Sequence, residues 1–331
     1  MENIHYNALV VEEHDGEFIQ TIQRLSTDNL PVGEVLIQVH YSSLNYKDAL
    51  SSTGNKGVTK NYPHTPGIDA AGIVISSLNE QFKAGDKVIV TGFDLGMNTS
   101  GGFGQYIRVP STWVVKLPDG LTLKESMIIG TAGFTAGISV LRLCELVNPE
   151  DGNIVVSGAT GGVGSVALSL LSKLGYQTVA ITGKESESDY LRNLGASEII
   201  SRATFLAVDN RPLLSARYAG AIDTVGGRVL ENILKTLLPL GAVTTCGSVS
   251  STQLNTTVFP FILRGNTLIG ISAQNYPVSL RKDLWNKLAT DWKPDNLLDI
   301  FNEIRLDKVK NHIDLILAGK LTGRTIVNMT D

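Results

Sequence analysis

The residues from Val155 to Leu171, VVSGATGGVGSVALSLL, set the tightest limit on what this chain can fold into. They belong to a run of 21 uncharged residues between Asp151 and Lys173, long enough for a membrane-spanning helix. Length alone misleads here. Gly158, Gly161, Gly162 and Gly164 interrupt the run directly after the apolar stretch NIVVS. Directly after them, Val163, Val166, Ala167, Leu170, Leu171 and Leu174 recur at helical spacing. Strand, tight turn, helix is the order of a dinucleotide-binding βα unit. Its backbone must turn sharply, approach a pyrophosphate and let the helix pack on the strand, and side chains obstruct all three. The helix N-terminus then offers N–H groups and partial positive charge to the phosphates. The usual fingerprint is G-x-G-x-x-G; this chain reads Ala159, Thr160, Gly161, Gly162, Val163, Gly164, with alanine in the first glycine slot. These six residues are the candidate phosphate cradle, and the competing reading is a Gly-rich turn with no ligand.

The end of the next strand-like run bears on which dinucleotide is held. An NAD site places an acidic side chain about 20 residues after the glycines to hold the ribose 2′-hydroxyl. In TVAITGKES that position falls on Thr182, Gly183 and Lys184: a hydroxyl, a permissive backbone and a cation. A 2′-phosphate is attracted there, so the reading favours NADPH over NADH, with Arg202 as a candidate second cation. Against it stand Glu185 and Glu187 nearby, and the possibility that Lys184 and Arg202 are ordinary solvated cations.

A chain of 331 residues with 43% hydrophobic content suggests about two globular domains. Net charge is -4 with no basic cluster, which disfavours nucleic acid and anionic membrane surfaces as partners. The opening MENIHYNALVVEEHDGE carries acidic residues where a secretory leader needs an apolar core, so a cytoplasmic protein is expected. Cys144 and Cys246 are too few for a disulfide framework or a four-cysteine zinc site, and five histidines show no ligand-like spacing. Residues 1–120 read as short strands broken by Gly and Pro: VLIQVHY, AGIVISS, DKVIVTG and GQYIRVP. From Leu121 strands and amphipathic helices alternate, the pattern of a parallel sheet covered on both faces. After Pro294 polar helical segments return, ending in a strand-like GRTIVNM.

The motifs SSLNYKDAL, TPGIDAAG, GTAGFTA, GATGGVGS, LRNLGA and AIDTVGG, in this order and spacing, resemble the medium-chain dehydrogenase/reductase superfamily. Within it they look like the zinc-free quinone-oxidoreductase branch and its acrylyl-CoA reductase (YhdH/YhfP-like) group. The resemblance implies an α/β chain. A GroES-like β-rich catalytic domain would span residues 1–120 and 295–331, and a Rossmann doubly wound parallel-sheet domain residues 121–294. It implies NADPH-dependent reduction of a carbon–carbon double bond conjugated to a carbonyl, with an acryloyl-CoA-like enoyl thioester as the leading substrate. The alternatives are NADPH:quinone oxidoreduction and a non-catalytic NADPH-binding sensor. Zinc-dependent relatives use Cys, His and Cys as catalytic ligands; by motif alignment those slots fall on Asn45, Ile68 and Thr131, so no metal is expected. A homodimer through edge-strand pairing around TLIGI is also implied.

Candidate catalytic residues come from LNYKD. Tyr46 packs by resemblance near the nicotinamide and is the candidate proton donor or water-orienting group; Asn45 is the candidate hydrogen-bond partner of a substrate carbonyl or cofactor ribose. Lys47 and Asp48 read as a local structural pair, and Asp69 as a structural acceptor. Thr135, Ser248, Ile262, Ala273 and Arg324 are carried over by resemblance as further cofactor contacts. Arg264, Arg281 and Lys282 are weaker candidates for coenzyme A phosphates, the alternative being solvated cations.

Overall fold

The computed structural model describes residues 3–207 and 211–330. In chain order its elements are β1 (His5–His14), β2 (Glu17–Ser26), β3 (Val35–Leu44), α1 (Tyr46–Ser52), β4 (Asp69–Ser77), β5 (Lys87–Thr91), β6 (Tyr106–Val109) and β7 (Val115–Lys116). There follow α2 (Leu123–Leu143), β8 (Ile154–Ser157), α3 (Gly162–Lys173), β9 (Thr178–Thr182), α4 (Ser188–Asn193), β10 (Ala196–Ser201) and α5 (Arg202–Leu206). The remainder is β11 (Tyr218–Asp223), α6 (Gly227–Thr236), β12 (Leu237–Thr245), α7 (Phe259–Arg264), β13 (Thr267–Gly270), α8 (Val278–Ala289), β14 (Phe301–Arg305), α9 (Val309–Leu317) and β15 (Arg324–Asn328).

Two compact units divide the chain: residues 1–131, 274–289 and 300–331 form the first, residues 132–273 and 290–299 the second. The first division falls inside α2, just after Gly130, whose φ of 51° and ψ of -161° break the helix. No side chain could replace that glycine's hydrogen, because a Cβ there would stand 2.7 Å from Arg324, Asp69 and Ser43 atoms. By length and composition alone α2 could cross a membrane, but 83% of its apolar window is buried.

In the first unit, β14, β15, β3, β4, β5 and β7 lie side by side, with β6 also paired to β3, and β1 pairs β2 in a separate hairpin. Alternate residues of β3 to β6, among them Val35, Ile37, Val39, Val74, Val88, Val90 and Ile107, meet Val309 and Ile313 of α9 in one core. β14 escaped the sequence reading, which took the segment after Pro294 as helical. FNEIR is polar and short, and what holds it extended is its parallel pairing with β15, from Phe301 opposite Arg324 to Arg305 opposite Asn328.

The second unit is one parallel sheet in the order β10, β9, β8, β11, β12, β13. Numbered by appearance this is 3-2-1-4-5-6, which reverses direction between β8 and β11 and opens a crevice beyond the carboxyl ends of those strands. The uncharged run between Asp151 and Lys173 resolves into the four-residue β8, a loop and the twelve-residue α3. Neither piece can span a bilayer.

Candidate functional site

At the carboxyl end of β8 the chain turns through Gly158, at φ 59°, and α3 starts at Gly162. A Cβ on Gly164 would lie 2.4 Å from the Gly158 carbonyl oxygen and 2.8 Å from the Ala159 Cα, so helix and loop touch backbone to backbone. Gly161 caps α3 without a side chain, leaving the first-turn N–H groups to a ligand. Behind the loop, Tyr190 of α4 donates to Ser165 Oγ at 2.9 Å and Ser165 Oγ to the Ala159 carbonyl at 3.3 Å. Burial pushes the Tyr190 phenol up to about 12, so it stays a donor.

The crevice floor is a buried carboxylate. Asp223, ending β11, accepts from Ser157 Oγ at 2.7 Å, Thr245 Oγ1 at 2.9 Å and the Gly226 N–H at 3.0 Å. Thr224 ties back to β8 through Ser157 at 2.8 Å and 3.0 Å. Ser248 is exposed, its Cα 3.4 Å from where a Cβ on Gly226 would stand. Sequence reading named neither Ser157 nor Asp223 as functional; the signal available was a small polar residue closing each strand at the crevice.

Thr182 ends β9 opposite Ser201, which ends β10, so Gly183 and Arg202 emerge side by side. A Cβ on Gly183 would come within 2.9 Å of the Arg202 guanidinium. Thr182 Oγ1 accepts from the Lys184 N–H at 2.9 Å, and burial lowers the Lys184 ammonium. The residues thus fit a dinucleotide carrying a 2′-phosphate: a glycine loop with no room for a Cβ at Gly158 or Gly164, and cations where an acidic residue would stand for NAD. Thr135 is buried in α2, Ile262 is exposed on α7, and Ala273 is buried after β13.

In the first unit a different polar cluster forms around Asp69, itself fully buried. Its carboxylate accepts from Ser43 Oγ at 2.6 Å, Asn45 Nδ2 at 2.8 Å, and the Thr131 hydroxyl and N–H at 2.5 Å and 2.9 Å. Arg324 is 3% exposed and donates to the Ile128 carbonyl, Asn45 Oδ1 and Ser43 Oγ. None of the partners that Arg324 shows lies on the glycine loop. Asn45 likewise has its amide oxygen and nitrogen engaged inside the cluster, while Tyr46, the next residue, is 37% exposed at the start of α1.

Lys47 and Asp48 do not pair. Asp48 faces inward, accepting from the Asn45 and Ile68 N–H groups at 2.8 Å each. Burial, reinforced by Asp69, pushes its carboxyl up to about 7. Lys47 Nζ donates instead to Gln274 Oε1 at 2.6 Å. Arg281 is buried, donating to Thr91, and Arg264 is spent on the carbonyls of Lys235, Leu237 and Leu214, so neither is an available phosphate ligand.

A zinc ion does not fit. The three slots carry an amide, an alkyl group and a hydroxyl, and the amide and the hydroxyl both donate to Asp69 rather than presenting lone pairs to a shared point. Among the described residues no group of three or more His, Cys, Asp or Glu could hold a metal ion.

A β-rich unit followed by a doubly wound sheet with a glycine cradle defines a dehydrogenase of the medium-chain dehydrogenase/reductase type. Accordingly, residues 31–119 match the alcohol dehydrogenase GroES-like domain and residues 162–290 the zinc-binding dehydrogenase family. The probable acrylyl-CoA reductase AcuI of Escherichia coli is 44% identical over 97% of this chain and 99% of its own. The putative quinone oxidoreductase YhfP of Bacillus subtilis is 41% identical over 98% and 99%, and its solved structure, with NAD bound, superposes at a TM-score of 0.95 over 98% and 99% of the two chains. The yhdH oxidoreductase of Salmonella enterica, solved in complex with NADP, superposes at 0.95 with 43% identity over 98% of this chain and 100% of that one. The chain belongs to the acrylyl-CoA reductase (YhdH/YhfP-like) group of the zinc-free quinone-oxidoreductase branch.

Proposed function

We propose that this chain is an NADPH-dependent, zinc-independent reductase of carbon–carbon double bonds conjugated to a carbonyl, with an acryloyl-CoA-like enoyl thioester as substrate. The observation that carries the cofactor assignment is the Arg202 guanidinium lying against Gly183 at the end of β9. The substrate class rests on family membership and on the names of the relatives.

When bound, NADPH supplies the hydride that the β-carbon of the acceptor receives. In this reading Ala159, Thr160, Gly161, Gly162, Val163 and Gly164 hold its pyrophosphate, and Thr182, Gly183, Lys184 and Arg202 its 2′-phosphate. Thr135, Ser248, Ile262 and Ala273 line the remainder of its binding surface. Tyr46 packs on the cofactor and delivers a proton, directly or through water, to the α-carbon. Asn45 and Arg324 act through the Asp69 cluster: they fix the start of α1, and with it the Tyr46 ring.

Quinones are conjugated carbonyl acceptors too, and the name of the YhfP relative keeps NADPH:quinone oxidoreduction as the second reading. Steady-state kcat/KM with acryloyl-CoA, crotonyl-CoA and a benzoquinone separates the two; a much larger constant for the quinone reverses their order. Tight NADPH binding with no turnover of any acceptor makes the chain a sensor instead.

The same reading makes the protein cytoplasmic and a homodimer. β13 pairs only with β12 among the described residues, so its outer edge is open, and Val258, Phe259, Ile262 and Leu263 expose apolar surface on and beside α7. Light scattering on the eluting protein tests the dimer: a mass of one 35.5 kDa chain overturns it.

A further inference from the structure

We propose that Lys47 is the cation that stabilises the negative charge developing on the acceptor's carbonyl oxygen, with Gln274 as its positioning residue. The proposal rests on the reductase reading above and names the group that meets the oxyanion.

Lys47 directly follows Tyr46 in α1 and is half-buried. Among the described residues its hydrogen-bond partner is the Gln274 amide oxygen, and no carboxylate comes within ion-pair distance. A lysine that gives up part of its hydration normally gains an acid. This one has gained a neutral amide, which fixes the ammonium without cancelling its charge and leaves two of its three N–H donors unspent. Asp48, on the same helix, points its carboxylate into the Asn45 and Ile68 backbone, and the charged group on the Gln274 side is a second cation, Arg281.

The holder is itself held. The Gln274 carbonyl accepts from the Phe93 N–H and from Arg281, at 3.4 Å each. Phe93, at φ 54°, has the Trp113 ring stacked on it at 5.4 Å and the Arg281 guanidinium 4.5 Å from its ring centre. Trp113, Phe93 and Arg281 form a pillar, and Gln274 hangs from it with its side chain on Lys47. So much support around a charge that a surface lysine would place in water for nothing is what electrostatic preorganisation requires.

The chemistry balances without a further reactant. As hydride adds to the β-carbon, the π pair of the double bond shifts to form the enolate. The Lys47 ammonium donates a hydrogen bond to the enolate oxygen. A proton from water, relayed or not by Tyr46, then goes to the α-carbon, so the acceptor gains one hydride and one proton.

The test compares wild type with Lys47→Met, Lys47→Arg and Gln274→Leu. It measures kcat and KM for acryloyl-CoA, the NADPH dissociation constant by fluorescence titration, and the thermal midpoint. Loss of an oxyanion donor costs about 100-fold or more in kcat. Lys47→Met should lose that much with NADPH affinity unchanged within about twofold, a replacement that removes a half-buried charge and so leaves the midpoint equal or higher. Lys47→Arg should recover part of kcat, and Gln274→Leu should lose about tenfold. A fallen midpoint with kcat intact would make Lys47 a tether and overturn the proposal, as would kcat intact at any midpoint. If wild type reduces only the benzoquinone, the reductase reading changes its substrate, and the same comparison is decided on the quinone carbonyl. If it binds NADPH and reduces neither, both readings fall together.

Discussion

Arg324 and Asp69 face each other at 3.8 Å with both ends of the gap bridged. Ser43 Oγ accepts from the guanidinium at 2.7 Å and donates to the carboxylate at 2.6 Å. Asn45 does the same with its amide, its oxygen 3.2 Å from Arg324 and its nitrogen 2.8 Å from Asp69. Burial lowers the Arg324 guanidinium, while Asp69 and Asp48 act to raise it. Removing the cation alone strands buried acids, which costs about 3–5 kcal/mol. Arg324→Met should therefore lower the urea midpoint severely, while the double variant Asp69→Asn, Arg324→Met should be clearly less destabilised than the sum of the two singles. Strict additivity in that cycle would show that the two residues do not act as one unit.

Asp48 should make stability depend on pH in an unusual direction. Its folded carboxyl titrates at about 7, above the unfolded value of about 3.9, so the folded state holds the extra proton between those limits. Stability from this group is full below the unfolded value and is lost as pH rises through the folded one. Asp48→Asn cannot ionise, although it loses an acceptor for either the Asn45 or the Ile68 N–H. The variant should be less stable than wild type at pH 5 by about 1–3 kcal/mol, and the gap should narrow by pH 8. A gap that stays constant across that range would place the Asp48 titration elsewhere.

The glycine loop between β8 and α3 was legible because its signal is local: four glycines between an apolar run and a helical period, each within a few residues of the next. So were most strands of the two sheets, whose alternation or apolar runs mark them. The Asp69 cluster was not. Its members come from β3, α1, the break in α2 and β15, and Asn45 and Arg324 are 279 residues apart in the chain. No period or spacing announces that meeting, and the neighbours Lys47 and Asp48 looked like partners because sequence distance was the only distance at hand. In space successive helical residues point apart, and each found its own long-range acceptor or donor. Arg264 and Arg281 misled for the same reason: a cation engaged by distant backbone carbonyls looks, in sequence, like one in solvent.

Gly164 tests the cradle itself. An alanine methyl there would stand 2.4 Å from the Gly158 carbonyl oxygen, and its three nearest neighbours are all backbone atoms, so α3 or the loop must move. Overpacking of this kind costs about 1–3 kcal/mol. Gly164→Ala should lower the thermal midpoint by a few degrees and weaken NADPH by about tenfold or more, read by calorimetry and fluorescence titration. Unchanged NADPH affinity would mean that the loop does not hold the pyrophosphate.

If Arg202 and Lys184 hold the 2′-phosphate as proposed, they separate the two nicotinamide cofactors by charge alone. Both stand where β9 and β10 end together, and neither the Thr182 hydroxyl nor Gly183 repels an added phosphate. A charge-assisted hydrogen bond contributes about 1.5–3 kcal/mol, roughly 10- to 100-fold in affinity. Arg202→Ala and Lys184→Ala should each weaken NADPH by an amount in that range and leave NADH nearly unaltered, because NADH has only a hydroxyl at the 2′ position. The half-buried Lys184 ammonium, already lowered by burial, should show the smaller loss of the two. Titrating both cofactors into both variants gives four ratios. Equal losses for NADPH and NADH would remove these cations from the choice and leave the preference to the cradle, which reads only the phosphates the two cofactors share.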